Sequence, residues 1–131
     1  MVYHFEVEGR PPRQENYSMW GRKAQFEPLK MLRIAAANII HIPIVGYVGI
    51  SVVFEFKGKQ PQDLDNMLNG LLDGLQPAAP NAKPLLLWRQ QAKNIKPVKA
   101  IAYESDTQVV EIFARKVHAN QDKYYVTVYA L

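Results

Sequence analysis

Residues 2–8, VYHFEVE, alternate apolar and polar positions and are rich in β-formers, which predicts a strand. The period is lost through GRPPRQENYSMWGRK, a loop carrying four basic residues and two aromatics. EPLKMLRIAAANIIH then reads as a helix with Pro28 in its first turn. Its apolar Leu29, Leu32, Ala36, Ile39 and Ile40 fall on one side. GYVGISVVFEFKGK, residues 46–59, is a long strand whose nearly continuous apolar stretch suits the middle of a sheet. From 64 to 75, Leu64, Met67, Leu68, Leu71, Leu72 and Leu75 form one apolar stripe at helical spacing. Gly70 and Gly74 lie four apart on that helix, where a neighbouring element can approach closely. Each costs about 1 kcal/mol relative to alanine.

The pattern breaks at 77–99, PAAPNAKPLLLWRQQAKNIKPVK, with four prolines, five basic residues and no acid. This is a basic, Pro-rich insertion with a short helix through LLLWRQQAKN. KAIAYESDTQVVEIFARKVHA reads as strand, polar turn, strand, and DKYYVTVYAL as a last strand. On that strand Tyr125 and Tyr129 share one face and Tyr124 takes the other. The order β, α, β, α, β, β, β predicts an α+β fold, a small mixed β-sheet flanked by two helices, in a single domain over residues 1–131.

Composition narrows the field. The chain has 131 residues, 48% of them apolar and 21% charged, as a soluble globular domain has. No apolar run reaches the roughly 18–20 residues of a membrane span. The N-terminus, MVYHFEVEGR, lacks a signal pattern, so the expected compartment is the cytoplasm. With no cysteine, disulfides and thiolate–zinc sites are excluded. No glycine loop of the kind that cradles a nucleotide is present, so no nucleotide cofactor is expected. A net charge of +4 and a pI near 9.3 tilt towards a polyanionic partner.

Against that charge, QDLDNMLNGLLDGL places Asp63 and Asp65 at the mouth of the second helix. Residues two apart on a helix point about 160° away from each other, so both reach one ion only if Asp63 lies just outside it. Gln60 before Pro61 biases the chain towards an extended approach. One reading is a helix cap, since aspartate is among the best N-caps and a second acid suits the helix dipole. The other is a metal site. The polar face of the helix continues Asp65, Asn69, Asp73, with no lysine at i+4 to balance it. Downstream, ESDTQ sets Glu104 and Asp106 in a turn at a strand's edge. Carboxylates without histidine or cysteine favour a hard ion, Mg²⁺ or Mn²⁺. His4, His41 and His118 are scattered without ligand spacing.

DLDNMLNGLLDGL followed by SDTQVVEIFARK resembles the RusA-type Holliday junction resolvases. That family opens a helix with Asp-x-Asp-Asn, ends it Asp-x-Leu, and follows with an acidic turn ending Gln-Val-Val and a strand ending in lysine. Asp63, Leu64, Asp65 and Asn66 stand on the first part, with Asp73, Gly74 and Leu75 on its end. Asp106 to Val110 stand on the turn and Lys116 on the lysine. The resemblance covers the central and C-terminal parts of the chain. It implies a homodimeric, Mg²⁺-dependent endonuclease, with Mn²⁺ as a substitute, that resolves four-way DNA junctions by paired symmetric nicks in recombination or repair. Asp63, Asp65 and Asp106 would be the catalytic metal ligands. Asn66, Asn69, Asp73, Glu104 and Lys116 would support them.

Two departures stand out. The family's lysine four residues after the second aspartate is Asn69 here, and Lys57, Lys59 or Lys116 could supply the missing cation. The insertion also separates helix and turn. Read functionally it is a DNA-contacting flap, with Lys83, Arg89, Lys93, Lys96 and Lys99 on phosphates and Trp88 stacking on a base; read structurally it is a solvated loop with LLLW on the core. With Lys57, Lys59 and Arg115, its basic residues are the candidate nucleic-acid contacts, and Arg10, Arg13, Arg22 and Lys23 offer a second basic arm. The competing expectations are a junction-binding protein on the same fold that has lost its chemistry, and a structural protein whose acids only cap a helix.

Overall fold

The alternation in residues 2–8 folds as expected in the computed structural model, which describes residues 1–12, 26–59, 63–77 and 100–131. Strand β1 (Val2–Glu8) buries Phe5 and Val7 and turns His4, Glu6 and Glu8 outward. Helix α1 (Phe26–Ala37), strand β2 (Val48–Phe56) and helix α2 (Leu64–Gly74) follow. A 3-10 turn (Asp106–Gln108) leads into β3 (Val109–His118), and β4 (Lys123–Ala130) ends the order.

Among the described residues the sheet has four strands, in the order β1-β4-β2-β3. β2 pairs parallel with β3 and antiparallel with β4, and β4 pairs antiparallel with β1. β2 is therefore internal, as its continuous apolar run implies. Val48, Ile50, Val52 and Phe54 from β2 meet Tyr124, Val126 and Val128 from β4 and Phe5 and Val7 from β1 in one core. Leu32 and Ala36 of α1 and Met67 and Leu71 of α2 join the same core, so both helices cover one face. The architecture is α+β, a mixed sheet with two helices. Among the described residues no helix is long and apolar enough to cross a membrane.

The α2 stripe packs as its spacing predicts: Met67, Leu71 and Leu75 are buried and Leu64, Leu68 and Leu72 pack against the core. At Gly74 the close approach foreseen for the glycines is made by α1. A Cβ on Gly74 would stand 2.5 Å from Leu32 Cδ2 and 3.3 Å from Leu29 Cδ1.

Three boundaries differ from the sequence reading. The first helix stops at Ala37 rather than running to 41: Ile39 N–H turns back three residues to Ala36 O, tightening the last turn, and Ile40 N–H shares the same acceptor. That turn buries Ile40 and leaves Ile39 41% exposed, so Ile39 is not on the buried side. The strand expected over 46–59 is trimmed by Gly46 and Gly58, whose φ angles of 91° and 72° lie in the left-handed region. No strand forms at residues 100–103. Ile101 and Ala102 both donate to Leu75 O, at 3.2 and 3.0 Å, and Ala102 O accepts from Ile44 N at 2.8 Å. Ile101, Ala102 and Tyr103 are buried in succession, which a strand with one open face does not allow. The insertion from 78 to 99 lies outside the described residues.

Candidate functional site: the acidic face of α2 and the Asp106 turn

Asp63 occupies the N-cap of α2 with extended φ −67° and ψ 150°, and its carbonyl accepts the first helical bond, from Met67 N, at 3.1 Å. Its carboxylate makes no capping hydrogen bond. The cap position is thus filled, but the side chain that would serve it stays exposed. Asp65 is exposed too, and one of its oxygens accepts from Asn66 N at 3.0 Å. Asn66 Oδ1 is buried and makes no hydrogen bond. A buried amide oxygen left so costs about 1–3 kcal/mol, and such atoms point to an ion or water that completes them. Asn69 is exposed, on the face shared by Asp65 and Asp73.

The far end of α2 is built differently. Arg33, with no exposed surface, donates through Nη1 to Gly74 O and to Gln76 O, both at 2.8 Å. These bonds occupy two carbonyls at the helix end, where backbone acceptors lack helical partners. Burial lowers the Arg33 pKa to about 10. Gln76, its backbone held by Arg33, donates from Nε2 to Asp73 Oδ1 at 3.3 Å and accepts the Asp106 N–H at 3.1 Å. Tyr103, buried beneath, donates to Leu72 O at 2.6 Å. Its phenol is pushed well above the usual range, first by burial and then by Asp106 and Asp73. Both carboxylates therefore lie near Tyr103.

The turn bearing Asp106 is held from its other side by Gln108. The Gln108 amide accepts from Glu104 N (3.0 Å) and Ser105 N (3.2 Å) and donates to Ile44 O (3.0 Å) and Gly46 O (2.8 Å). All four hydrogen-bonding positions of the amide are used. Ser105 Oγ accepts from Thr107 N at 3.2 Å. This leaves Asp106 and Glu104 exposed on a rigid turn.

The structure thus brings Asp106 to Asp73. Asp65 and Asp73 are eight helical positions apart, about 12 Å along the axis, so the Asp63–Asp65 pair stands at the other end of α2. Among the described residues no three acidic or histidine side chains form one group that could hold a metal ion. The donor chemistry still suits a hard cation. Asp63 and Asp65 offer exposed carboxylates, Asn66 an unsatisfied oxygen, and Mg²⁺ commonly takes one or two protein carboxylates and completes its shell with waters and phosphates.

Of the basic candidates, Lys57 and Lys59 are exposed just beyond the end of β2. Arg115 is exposed and Lys116 half-buried on β3, in register with Val53 and Phe54. All four lie towards the end of the β2–β3 pair from which the chain runs into α2. Arg10 is engaged in structure, 3.3 Å from Asp122 and 3.4 Å from Lys57 O. Lys83, Trp88, Arg89, Lys93, Lys96 and Lys99, and Arg13, Arg22 and Lys23, lie outside the described residues. His4 faces Thr127 Oγ1 at 2.9 Å, and His118 stands edge-on to Phe56. Gln76 and Arg33 carry no mark in the sequence, and Gln108 stands there only within the Gln-Val-Val stretch of the resemblance.

Compared with models of known protein families and with curated proteins, the chain shows no match.

Proposed function

We propose that this chain is a Mg²⁺-dependent, structure-selective endodeoxyribonuclease of the RusA type, a cytoplasmic homodimer that nicks four-way DNA junctions. The supporting observation is the bridge through Gln76. The two stretches that carry the resemblance are separated by some thirty residues, yet the end of the first, Asp73, and the start of the second, Asp106, share one side-chain amide. Asp63, Asp65 and Asp106 are the proposed catalytic acids, with Mg²⁺ held by Asp63 and Asp65 and Mn²⁺ as a substitute. Bound there, the ion would hold a scissile phosphate and lower the pKa of an attacking water. The exposed Lys57, Lys59 and Arg115 supply phosphate contacts. A two-fold dimer would match the near two-fold symmetry of a junction.

One observation favours a second reading. Asn69, where the family carries lysine, is exposed and neutral and cannot offset charge gathering on a phosphate. On that reading the protein binds junctions without cutting them. The test is incubation of a synthetic four-way junction, with linear duplex as control, in Mg²⁺, Mn²⁺ or EDTA, alongside Asp65→Asn and Asp106→Asn. Metal-dependent symmetric nicks that vanish in both variants are expected. Tight junction binding without nicks in either metal establishes the second reading, and neither binding nor cutting overturns both.

A further inference from the structure

β3 closes one edge of the sheet: among the described residues it pairs only with β2. It is ten residues long and contains no proline. Such an edge presents a row of backbone N–H and C=O groups to any strand that fits it. It also carries exposed apolar side chains on both faces. Ile112 is in register with buried Ile50 and so lies on the helix-covered face, yet it is 45% exposed. Phe113, in register with Ser51, lies on the other face and is 56% exposed. The opposite edge, β1, differs, because its Glu6 and Glu8 already pair with Lys123 inside the sheet.

The charges on β3 say which occupant fits. Glu111 and Arg115 share the face of Phe113 and stand two residues to either side of it. They are about 13 Å apart along the strand, with the Phe113 ring between them. Their register partners on β2, Gly49 and Val53, are uncharged. A second β3 running antiparallel, with the two-fold axis at Phe113, sets Glu111 opposite the partner's Arg115 and Arg115 opposite the partner's Glu111. Opposite charges so placed stabilise a strand pair, and like charges oppose it. The same register sets Phe113 against its own copy and Ile112 against the partner's Ala114. No other centre on the strand pairs Glu111 with Arg115.

We propose that β3 is the interface between two copies of this chain, joined antiparallel about Phe113 into one eight-stranded sheet with the helices of both copies on one side. This rests on the homodimer of the reading above and deepens it, and needs neither its cation nor its chemistry. Arg115 has five N–H donors, more than one carboxylate takes, so its phosphate contact stays open.

The test is sedimentation of the full chain, with circular dichroism to show that each variant folds. The wild type is expected to sediment as a dimer. Glu111→Arg and Arg115→Glu each set two like-charged pairs across the interface, and each is expected to weaken the dimer about a hundredfold or more. Mixed in equal amounts, these two variants restore both opposite pairs and should form a one-to-one heterodimer. Register is read by cross-linking, since the chain has no cysteine of its own. Phe113→Cys meets its copy at a Cα separation of about 4.5–5.5 Å and should form a disulfide-linked dimer under mild oxidation. Val117→Cys, held about 26 Å from its copy, should not. A dimer that neither charge variant weakens, or single variants that stay apart when mixed, overturns this interface and leaves the homodimer reading standing. A monomeric wild type, as when residues outside the described set cover β3, overturns both.

Discussion

The Tyr129 ring lies over Gly49. A Cβ on Gly49 would stand 2.1 Å from Tyr129 Cε2 and 2.6 Å from its hydroxyl oxygen. Gly49 is in register with Tyr129 on β4 and with Glu111 on β3, and the Tyr129 phenol above it is pushed above its ordinary range by burial first and then by the nearby Glu111 carboxylate. One missing side chain on β2 thus lets a tyrosine bridge the strands on either side, on the face opposite the helices.

Gly49→Ala is expected to lower stability by about 1–3 kcal/mol, the usual cost of forcing extra atoms into packed space. Urea unfolding measures it. In a Tyr129→Ala background the same change should cost close to nothing, because the obstructing ring is gone. Equal costs in both backgrounds would show that the ring does not hold this place.

Arg33→Ala leaves two carbonyls at the end of α2 without their donor and opens a cavity. A loss of about 3 kcal/mol or more is expected in denaturant. Arg33→Lys keeps a cationic donor and should lose less.

Gln108 tests the rigidity of the Asp106 turn. Gln108→Ala is expected to cost about 2 kcal/mol, from four bonds lost at a partly exposed site. Gln108→Glu should be worse at neutral pH, because its carboxylate faces Ile44 O and Gly46 O with no proton to offer. Acidification should relieve part of that excess cost, as seen by melting each variant across pH.

Alkali should unfold the protein through its buried phenols. Burial pushes Tyr124 well above the ordinary phenol range near 10, and burial with Asp106 and Asp73 does so for Tyr103. Above pH 10 the unfolded chain releases these protons while the folded chain keeps them. The folded state then binds more protons, and stability falls as pH rises from there towards the folded values. Arg33, lowered to about 10 by burial, acts in the opposite sense, but it is one group against two. Phenolate absorbance should show two of the seven tyrosines ionising only with the loss of circular dichroism.

On the proposed nuclease reading, Asn69→Lys supplies the cation that the RusA-type pattern carries four residues after Asp65. It adds an i, i+4 acid–base pair worth about 0.2–0.5 kcal/mol on the exposed face. Junction nicking should rise in Mg²⁺. An unchanged or lower rate would mean that another cation already serves.

Both helices and the internal place of β2 were legible because each rests on a periodicity that burial enforces along many residues. The stripe from Leu64 to Leu75 has no other good solution. Residues 100–103 misled because AIAY has a strand's composition, while its hydrogen bonds go to the end of α2 and to Ile44. The order β1-β4-β2-β3 left no local trace, since register depends on contacts between distant segments. At the site, Asp63, Asp65 and Asp106 stand out by charge and spacing. Gln76 does not, and Gln108 stands out only as a letter of the resemblance: an amide has neither periodicity nor charge, and only geometry shows that each joins two segments.

The strand order also governs when the sheet can exist. β4, last of the described strands in the chain, lies between β1 and β2 and pairs with both. Among the described strands, a nascent chain that has exposed everything up to β3 offers β1 no neighbour and leaves β2 one open edge. The first strand made must wait for the last, so folding on the ribosome is expected to come in one late step after β4 emerges. Until then Phe5 and Val7, buried in the finished core, belong to a strand with nothing to pair with.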